Sequence, residues 1–162
     1  MKKSLLLLLV LVFGLFMVIG CEDDTATGPD ENEADAWVGT WLSAGDNVAV
    51  ILSYYFGVDS IEAVFNEDNT VSLRQHAAGG TWTEFQGTYI VTESDDIDVD
   101  AISLVYETFE QEGIVEIVGD TLRLEVVQTL PDYGLTIPTP ALGFGADADY
   151  LTTNIQTYIL QD

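Results

Sequence analysis

WVGTWL, residues 37–42, is the stretch of sequence that decides the fold. Trp37, Gly39 and Trp41 fall at alternate positions. An extended chain places all three on one face, because the side chains of a strand alternate with a period of two. The stretch therefore predicts a first strand, one face of which carries two large rings separated by a glycine.

A short helix is predicted directly after this strand, from residue 47 to residue 56. Its apolar residues follow the spacing i, i+3, i+4 and i+7 of one helical face: Val48, Ile51, Leu52 and Tyr55. Asp46 can cap the start of this helix and Gly57 its end. Val50 and Tyr54 make most of the remaining surface apolar as well, so the helix should be largely covered. The β-branched residues leave a strand as the alternative.

The rest of the chain reads as consecutive β-hairpins. Turn signals occur at residues 66–69, at 77–80 and at Gly119-Asp120. The first strand is followed by seven more predicted strands, over residues 60–65, 71–75, 81–92, 101–109, 113–118, 121–128 and 154–160. Eight antiparallel strands in meander order can close into a barrel whose interior fits side chains or one small ligand. The predicted fold is all-β, an eight-stranded antiparallel up-and-down barrel with one short helix after the first strand.

Gly39-Thr40-Trp41 matches the G-x-W signature that opens the first strand of lipocalins and related calycin barrels. The chain from residue 37 to about 128 resembles these families in its strand and turn pattern, and the early helix resembles the helical lid of the fatty-acid-binding branch. The resemblance implies a lipocalin-like barrel domain over residues 37–162, with Gly39 and Trp41 at its closed end. The chain lacks the lipocalin helix after the last barrel strand and the Arg-x-Tyr carboxylate clamp of the fatty-acid-binding proteins, so the ligand class stays open.

Arg123 has two alternative placements. Calycin barrels often stack an arginine across the signature tryptophan, and the resemblance implies that Arg123 lies over the ring of Trp41 in a cation–π contact. The alternation of Leu122, Arg123 and Leu124 instead predicts that the two leucines face the core. Arg123 would then face water and pair with surface carboxylates.

A long apolar loop follows the seventh predicted strand. Residues 130–149 include three prolines and three glycines, yet carry Tyr133, Leu135, Ile137, Leu142 and Phe144. Long loops without secondary structure are usually functional or disordered, and this apolar content argues against disorder. The loop is expected either to plug the open end of the barrel or to form a lid over a ligand. The residues expected at the lid or cavity are Ile51, Leu52, Tyr55, Tyr133 and Phe144.

Residues 1–21 have the pattern of a bacterial secretion signal. Lys2 and Lys3 precede an apolar run of fifteen residues from Leu5 to Ile19, which is too short for a membrane-spanning helix. The run ends in V-I-G-C, which resembles a lipobox, in which the cysteine becomes the lipidated first residue of the mature chain. We therefore expect a signal peptide over residues 1–20, and lipidated Cys21 with an acidic disordered tether over 21–36.

The lipobox resemblance implies a location and a first partner. The family's modification supplies more than one acyl chain, which gives stable anchoring. The expected location is the cell envelope, as an outer membrane lipoprotein with the membrane as partner through the Cys21 lipid. Glu22-Asp23-Asp24 resembles the surface-export signals of some such lipoproteins, so outward display is a further expectation.

Charge excludes one large class of partners. Without the two lysines of the signal peptide, the chain contains two basic residues, Arg74 and Arg123, and 28 Asp and Glu residues. The formal charge of this expected mature chain is −26. Nucleic-acid binding depends on Lys and Arg that neutralise phosphates, so no nucleic-acid partner is expected. Such self-repelling charge keeps proteins soluble and monomeric, and a monomer is expected.

The chain shows no catalytic constellation. It has no nucleophile-elbow serine, its only cysteine is Cys21, and its only histidine is His76. No enzyme activity and no cofactor are expected, with calcium as the alternative. Asp96, Asp98 and Asp100 echo the first ligands of a calcium loop, although Ala101 replaces the glycine that such a loop needs.

The function that these patterns favour is a lipid-anchored extracytoplasmic module that binds a small apolar ligand. The alternative is a surface structural or protein-interaction module whose barrel is packed solid; a hydrolase or isomerase on the same barrel is a third hypothesis. An interior cavity separates the first two, because a ligand carrier needs roughly 300 Å³ or more of enclosed apolar space.

Overall fold

The computed structural model describes residues 34–94, 98–146 and 154–162, and their strands form one closed barrel. Each strand pairs antiparallel with the next, and the last pairs with the first, so the predicted eight-stranded up-and-down barrel is confirmed. The strands are β1 Gly39–Ala44, β2 Val58–Phe65, β3 Thr70–Ala77, β4 Trp82–Thr92, β5 Asp100–Tyr106, β6 Glu110–Val118, β7 Thr121–Leu130 and β8 Gln156–Leu160. One short helix, α1 Val50–Phe56, follows β1 as predicted. In the described part of the chain, no helix combines the length and hydrophobicity of a membrane span.

The two ends of the barrel differ. One end, here called the Trp41 end, carries the 66–69 turn, the Gly119-Asp120 turn and the chain's last residues. The other end, here called the mouth, carries α1 and the turns at residues 78–81 and 107–109. Inward-facing side chains of all eight strands form one apolar core that includes Trp41, Phe65, Leu104, Leu122 and Tyr158.

The seam between β1 and β8 closes the barrel at the Trp41 end. Only two residue pairs join the strands there, Trp41 with Leu160 and Leu42 with Ile159. The indole of Trp41 is 1% exposed and donates a hydrogen bond to the carbonyl oxygen of Trp37 at 3.2 Å. A Cβ atom on Gly39 would lie 2.9 Å from Cδ1 of Leu160, and Gly39 has a φ of 150°. The backbone conformation therefore favours glycine at this position, and a larger residue would also require the Leu160 side chain to move.

A buried glutamine joins the same two strands toward the mouth. The Gln156 side chain on β8 donates a hydrogen bond to the hydroxyl of Ser43 on β1. Its carbonyl oxygen accepts the backbone N–H of Ala49 at 2.9 Å. Ser43 is fully buried and Gln156 nearly so. The amide therefore forms hydrogen bonds with polar groups that would otherwise be buried without a partner.

The region before α1 differs from the prediction. A 3-10 turn over Gly45–Asn47 replaces the first helical turn, so Ala49 and not Asp46 is the N-cap residue. Gly57 ends the helix in the left-handed conformation, as expected. The expectation that the helix is largely covered is wrong: exposed fractions are 79% for Tyr54 and 74% for Tyr55. A helix of two turns cannot place apolar residues from all its faces against one barrel rim.

In its described residues, the loop after β7 does not line the mouth cavity. Its described part, residues 131–146, is here called the strap, and it crosses the outer surface of the barrel. Pro138 of the strap is fully buried. Ile137 and Pro138 border the same shallow outer cavity as Ile90 on β4 and Ser103 on β5. The backbone N–H of Gly145 donates to the carboxylate of Glu125 on β7 at 2.6 Å.

The strap explains apolar residues on the outside of the sheet. Ile114 and Val127 are buried but lie outside the interior core cluster, on the face opposite Val115 and Val126. Glu125 lies on this outer face as well and is 1% exposed. The need to cover this face accounts for the apolar residues of the loop. The sequence alone had suggested that these residues form a plug or a lid.

We expect Gln156→Leu to lower the free energy of unfolding by about 2–4 kcal/mol, because the hydroxyl of Ser43 and the N–H of Ala49 lose their buried partner. Urea unfolding followed by circular dichroism measures this change. Gln161→Leu is the matched control, since the exposed Gln161 side chain bonds only the carbonyl of Ile159. Equal stability of the two variants would contradict a role for Gln156 in holding the seam.

Candidate functional site

A cavity of about 280 Å³ occupies the mouth half of the barrel and is partly open to solvent. It is enclosed by inward-facing residues of seven strands, by the 107–109 turn and by α1. Its apolar lining consists of Leu52, Ile61, Leu73, Phe85, Leu104, Tyr106, Phe109, Leu124, Val126 and Tyr158. Protein interiors rarely leave voids larger than a water molecule, so a space of this size is the leading candidate site of the described residues.

Aromatic rings form one wall of this cavity. Phe109, in the turn between β5 and β6, stacks on Tyr106 with ring centroids 4.5 Å apart. The same ring meets Phe85 of β4 edge-on at 5.3 Å. Such paired rings hold one another in place, so this wall presents a fixed apolar surface to anything that enters.

Amide side chains form the polar part of the lining: Gln75, Gln111, Gln128, Asn154 and Gln156. Asn154 donates to the backbone carbonyl of Val126 at 2.8 Å, and the Gln156 side chain bonds Ser43 across the seam between β1 and β8. Gln128 reaches the carbonyl of Pro131 at the long distance of 3.5 Å. Within the described residues, the side chains of Gln75 and Gln111 form no hydrogen bond.

The cavity contains no charged side chain among the residues that line it. Among the described residues of the lining, the only ionisable groups are two tyrosine hydroxyls. Burial raises the pKa of Tyr106 and of Tyr158 far above the ordinary tyrosine value, and the neighbouring Tyr106 hydroxyl raises the pKa of Tyr158 further. The interior is therefore neutral at physiological pH, in a chain whose surface is strongly acidic.

The structure places only one of the five expected lid or cavity residues at the cavity. Leu52 of α1 lines it, whereas Ile51 is half-buried beside it and does not. Tyr55 is exposed on α1 and Tyr133 is exposed on the strap. Phe144 lies on the outer surface, where the guanidinium of Arg123 stands 4.2 Å from its ring centroid.

Arg123 takes the outward placement and does not stack on Trp41. Leu122 and Leu124 belong to the interior core, so the intervening side chain faces outward. There Arg123 donates to the carboxylate of Glu116 at 2.9 Å. The strand's alternation thus decided between the two placements, and the family analogy for this residue did not hold.

The acidic residues considered for calcium lie near the Trp41 end. Asp98 and Asp100 border a surface depression with Glu93, and the Asp100 carboxylate accepts the backbone N–H of Ser94 at 2.9 Å. Asp96 lies outside the described residues, as does Cys21. Within the described ranges, no group of three or more histidine, cysteine or acidic residues is arranged to hold a metal ion.

A second polar cluster, on the outer face of β2, β3 and β4, was not predicted from the sequence. The imidazole Nδ1 of His76 lies 2.7 Å from the Asp59 carboxylate, and this hydrogen bond lowers the pKa of Asp59. The Trp82 ring contacts both His76, at 5.3 Å between centroids, and Arg74, at 4.8 Å. Among the described residues no serine or cysteine bonds the imidazole, so the pair lacks the nucleophile of a catalytic triad.

The glutamines that line the cavity were not predicted from the sequence either, although a signal was present. Gln75 continues the inward series of Val71 and Leu73, and Gln128 continues that of Leu124 and Val126. A polar residue at an inward position of an alternating strand indicates either a buried hydrogen bond or a cavity.

Compared with family models, with curated proteins and with solved structures, the chain shows no significant match.

We expect the protein to lose stability as the pH rises above about 10, because the unfolded chain releases the protons of Tyr106 and Tyr158 at ordinary tyrosine pKa values while the folded chain retains them. Two such groups give a slope of up to about 2.7 kcal/mol per pH unit. The double variant Tyr106→Phe/Tyr158→Phe should lose most of this slope between pH 10 and 12, as measured by urea unfolding. The exposed Tyr133→Phe is the control, and an unchanged slope in the double variant would contradict the burial of the two hydroxyls.

Proposed function

We propose that the protein is a lipid-anchored extracytoplasmic binding module that holds a small, mainly hydrophobic molecule in the mouth half of its barrel. The observation that carries this proposal is the cavity of about 280 Å³ between the aromatic wall and the amides. Its volume lies close to the lower limit of about 300 Å³ for small-molecule sites. Its lining combines a predominant apolar surface with a few polar groups, the composition that such sites have.

The energetics of packing support this function. An unfilled space in a protein core lowers stability in proportion to its volume. Side chains large enough to fill the mouth half would therefore stabilise the barrel, yet Leu73 and Val126 leave it open. Retention of such a space is expected where a ligand fills it.

The anchoring part of the proposal rests on residues 1–36, as read from the sequence. A signal peptide over 1–20 and a lipid on Cys21 would fix the chain to the outer membrane of a cell envelope. The acidic segment that follows, extended, could span roughly 50 Å, so the barrel could stand clear of the membrane surface. No nucleic-acid partner and no calcium ion form part of the proposal.

The second candidate function is a protein-interaction module, and the exposed aromatic residues of α1 favour it. Tyr54, Tyr55 and Phe56 are each about two-thirds or more exposed, and none of them lines the cavity. Contiguous exposed apolar surface of this kind often marks a contact site. The two functions separate experimentally, because Tyr54→Ser/Tyr55→Ser should leave ligand affinity unchanged while abolishing binding to a protein partner.

We expect Leu73→Trp to abolish ligand binding, because the larger side chain fills the cavity from β3. Native mass spectrometry of the barrel, purified with and without the substitution, measures the mass of any molecule that accompanies it. Val118→Trp is the control, because Val118 is exposed at the Trp41 end. A ligand that accompanies Leu73→Trp as fully as it accompanies the wild-type protein would place its site elsewhere.

We expect Cys21→Ser to release the protein from membranes, because this residue is the only cysteine and the proposed point of lipid attachment. Fractionation of cells that express the full chain, followed by immunoblotting of washed membranes, tests this outcome. A variant that still sediments with the membranes would exclude the lipid anchor without affecting the ligand site.

A further inference from the structure

The cavity is polar in one zone and apolar in the rest. The unbonded amide of Gln75 lies two residues from the mouth end of β3, and Gln111 and Gln128 lie near the mouth ends of β6 and β7. Leu124 and Val126 line the cavity farther along β7, toward the middle of the barrel. Leu104 lies level with Gln111, its partner across β5 and β6. A ligand therefore meets amides and the aromatic wall near the opening, and the aliphatic side chains of β7 below them.

The three glutamines stand on opposite sides of the opening. Gln111 and Gln128 are directly paired across β6 and β7. Strands β3 and β7 are four places apart in a closed ring of eight, so Gln75 faces Gln128 across the barrel. Within the described residues, Gln75 and Gln111 have no hydrogen-bond partner for their side chains, so each offers an N–H donor and a carbonyl acceptor to a ligand.

A negatively charged ligand has no counter-charge here. Both arginines of the folded region lie on the outer face and pair with carboxylates, Arg74 with Glu62 at 3.4 Å and Arg123 with Glu116 at 2.9 Å. Among the described residues, the lining contains no lysine, arginine or histidine, and the chain as a whole is strongly acidic. Burial of an anion without a partner is costly, whereas a neutral group with hydrogen-bonding atoms can be satisfied by the amides.

We propose that the cavity selects an uncharged amphiphile, with a hydrogen-bonding head at Gln75 and Gln111 and a hydrocarbon tail directed toward the middle of the barrel, and rejects the carboxylate of the same size. This inference rests on the proposed function and specifies its ligand class. At roughly 30 Å³ for the space that one water molecule fills, the cavity accepts on the order of ten non-hydrogen atoms. The ligand class is therefore a short-chain primary amide, alcohol or similar neutral molecule.

Three probes with ten non-hydrogen atoms each test the proposal by isothermal titration calorimetry at pH 7. Octanamide is neutral and carries both a donor and an acceptor, octanoate is its anionic counterpart, and butylbenzene has no polar atom. We expect octanamide to bind at least tenfold more tightly than octanoate.

The double variant Gln75→Leu/Gln111→Leu removes the two free amides and leaves the cavity walls apolar. We expect its affinity for octanamide to fall about tenfold or more, since two hydrogen bonds are lost, and its affinity for butylbenzene to be retained. Gln86→Leu, an exposed substitution on the outer face of β4, is the matched control and should change neither affinity. If the double variant does not fold, Gln75→Leu alone should show part of the same loss.

The outcomes separate this inference from the proposed function. If butylbenzene binds but octanoate binds as tightly as octanamide, or if the glutamine variants bind octanamide as well as the wild-type protein does, selection of a neutral head is wrong and the binding function stands. If none of the three probes binds, the selection fails together with the ligand-binding function.

Discussion

Closure of the sheet between β1 and β8 is the constraint on which the rest of the structure depends. The strands share two residue pairs, and the seam is completed by the N–H of Gln161 bonding the carbonyl of Thr40 at 2.8 Å and by the Gln156 side chain. A closed sheet leaves no unpaired strand edge, and it turns the alternation of each strand into a strict division between inside and outside. The G-x-W stretch matters because it lies on this seam, where Gly39 admits Leu160 and Trp41 seals the end.

The two halves of the barrel interior are packed differently. At the Trp41 end, large rings fill the space, as in the edge-to-face pair of Phe65 and Tyr89 with centroids 4.9 Å apart. Toward the mouth, the aromatic wall, aliphatic residues and amides surround a cavity that they do not fill. The filled half supplies the stability that lets the other half stay open, since the energetic cost of a cavity must be offset elsewhere in the fold. The strap adds packing on the outer surface, where Pro138 is fully buried and Gly145 bonds the carboxylate of Glu125.

Charged residues are also divided between the outside and the inside of the barrel. The chain carries 28 acidic residues, yet none of those that the structure describes lines the cavity, and the buried Glu125 lies under the strap on the outer face. The strongly acidic surface and the neutral interior act in one direction, since both disfavour an anionic ligand. The polarity of the mouth comes from amides, which form hydrogen bonds without the desolvation cost of a buried charge.

The sequence by itself determined the fold class, the order of eight strands and the helix after β1, because these depend on local periodicity and turn chemistry. For Arg123 it left two placements open, and the structure shows the outward one that strand alternation favoured. It did not determine what the segment after β7 covers. Tyr133 and Phe144 fit a lid as well as a strap, and only the tertiary path of the chain places Phe144 on Arg123. Nor could it show which polar residues of the interior are already bonded. Gln156 and Gln75 look alike in sequence, but one lies where Ser43 and Ala49 can use its amide, and the other faces the space left between strands far apart in the chain. A cavity is a property of side-chain volumes summed across the closed barrel, and no single stretch of sequence contains that sum.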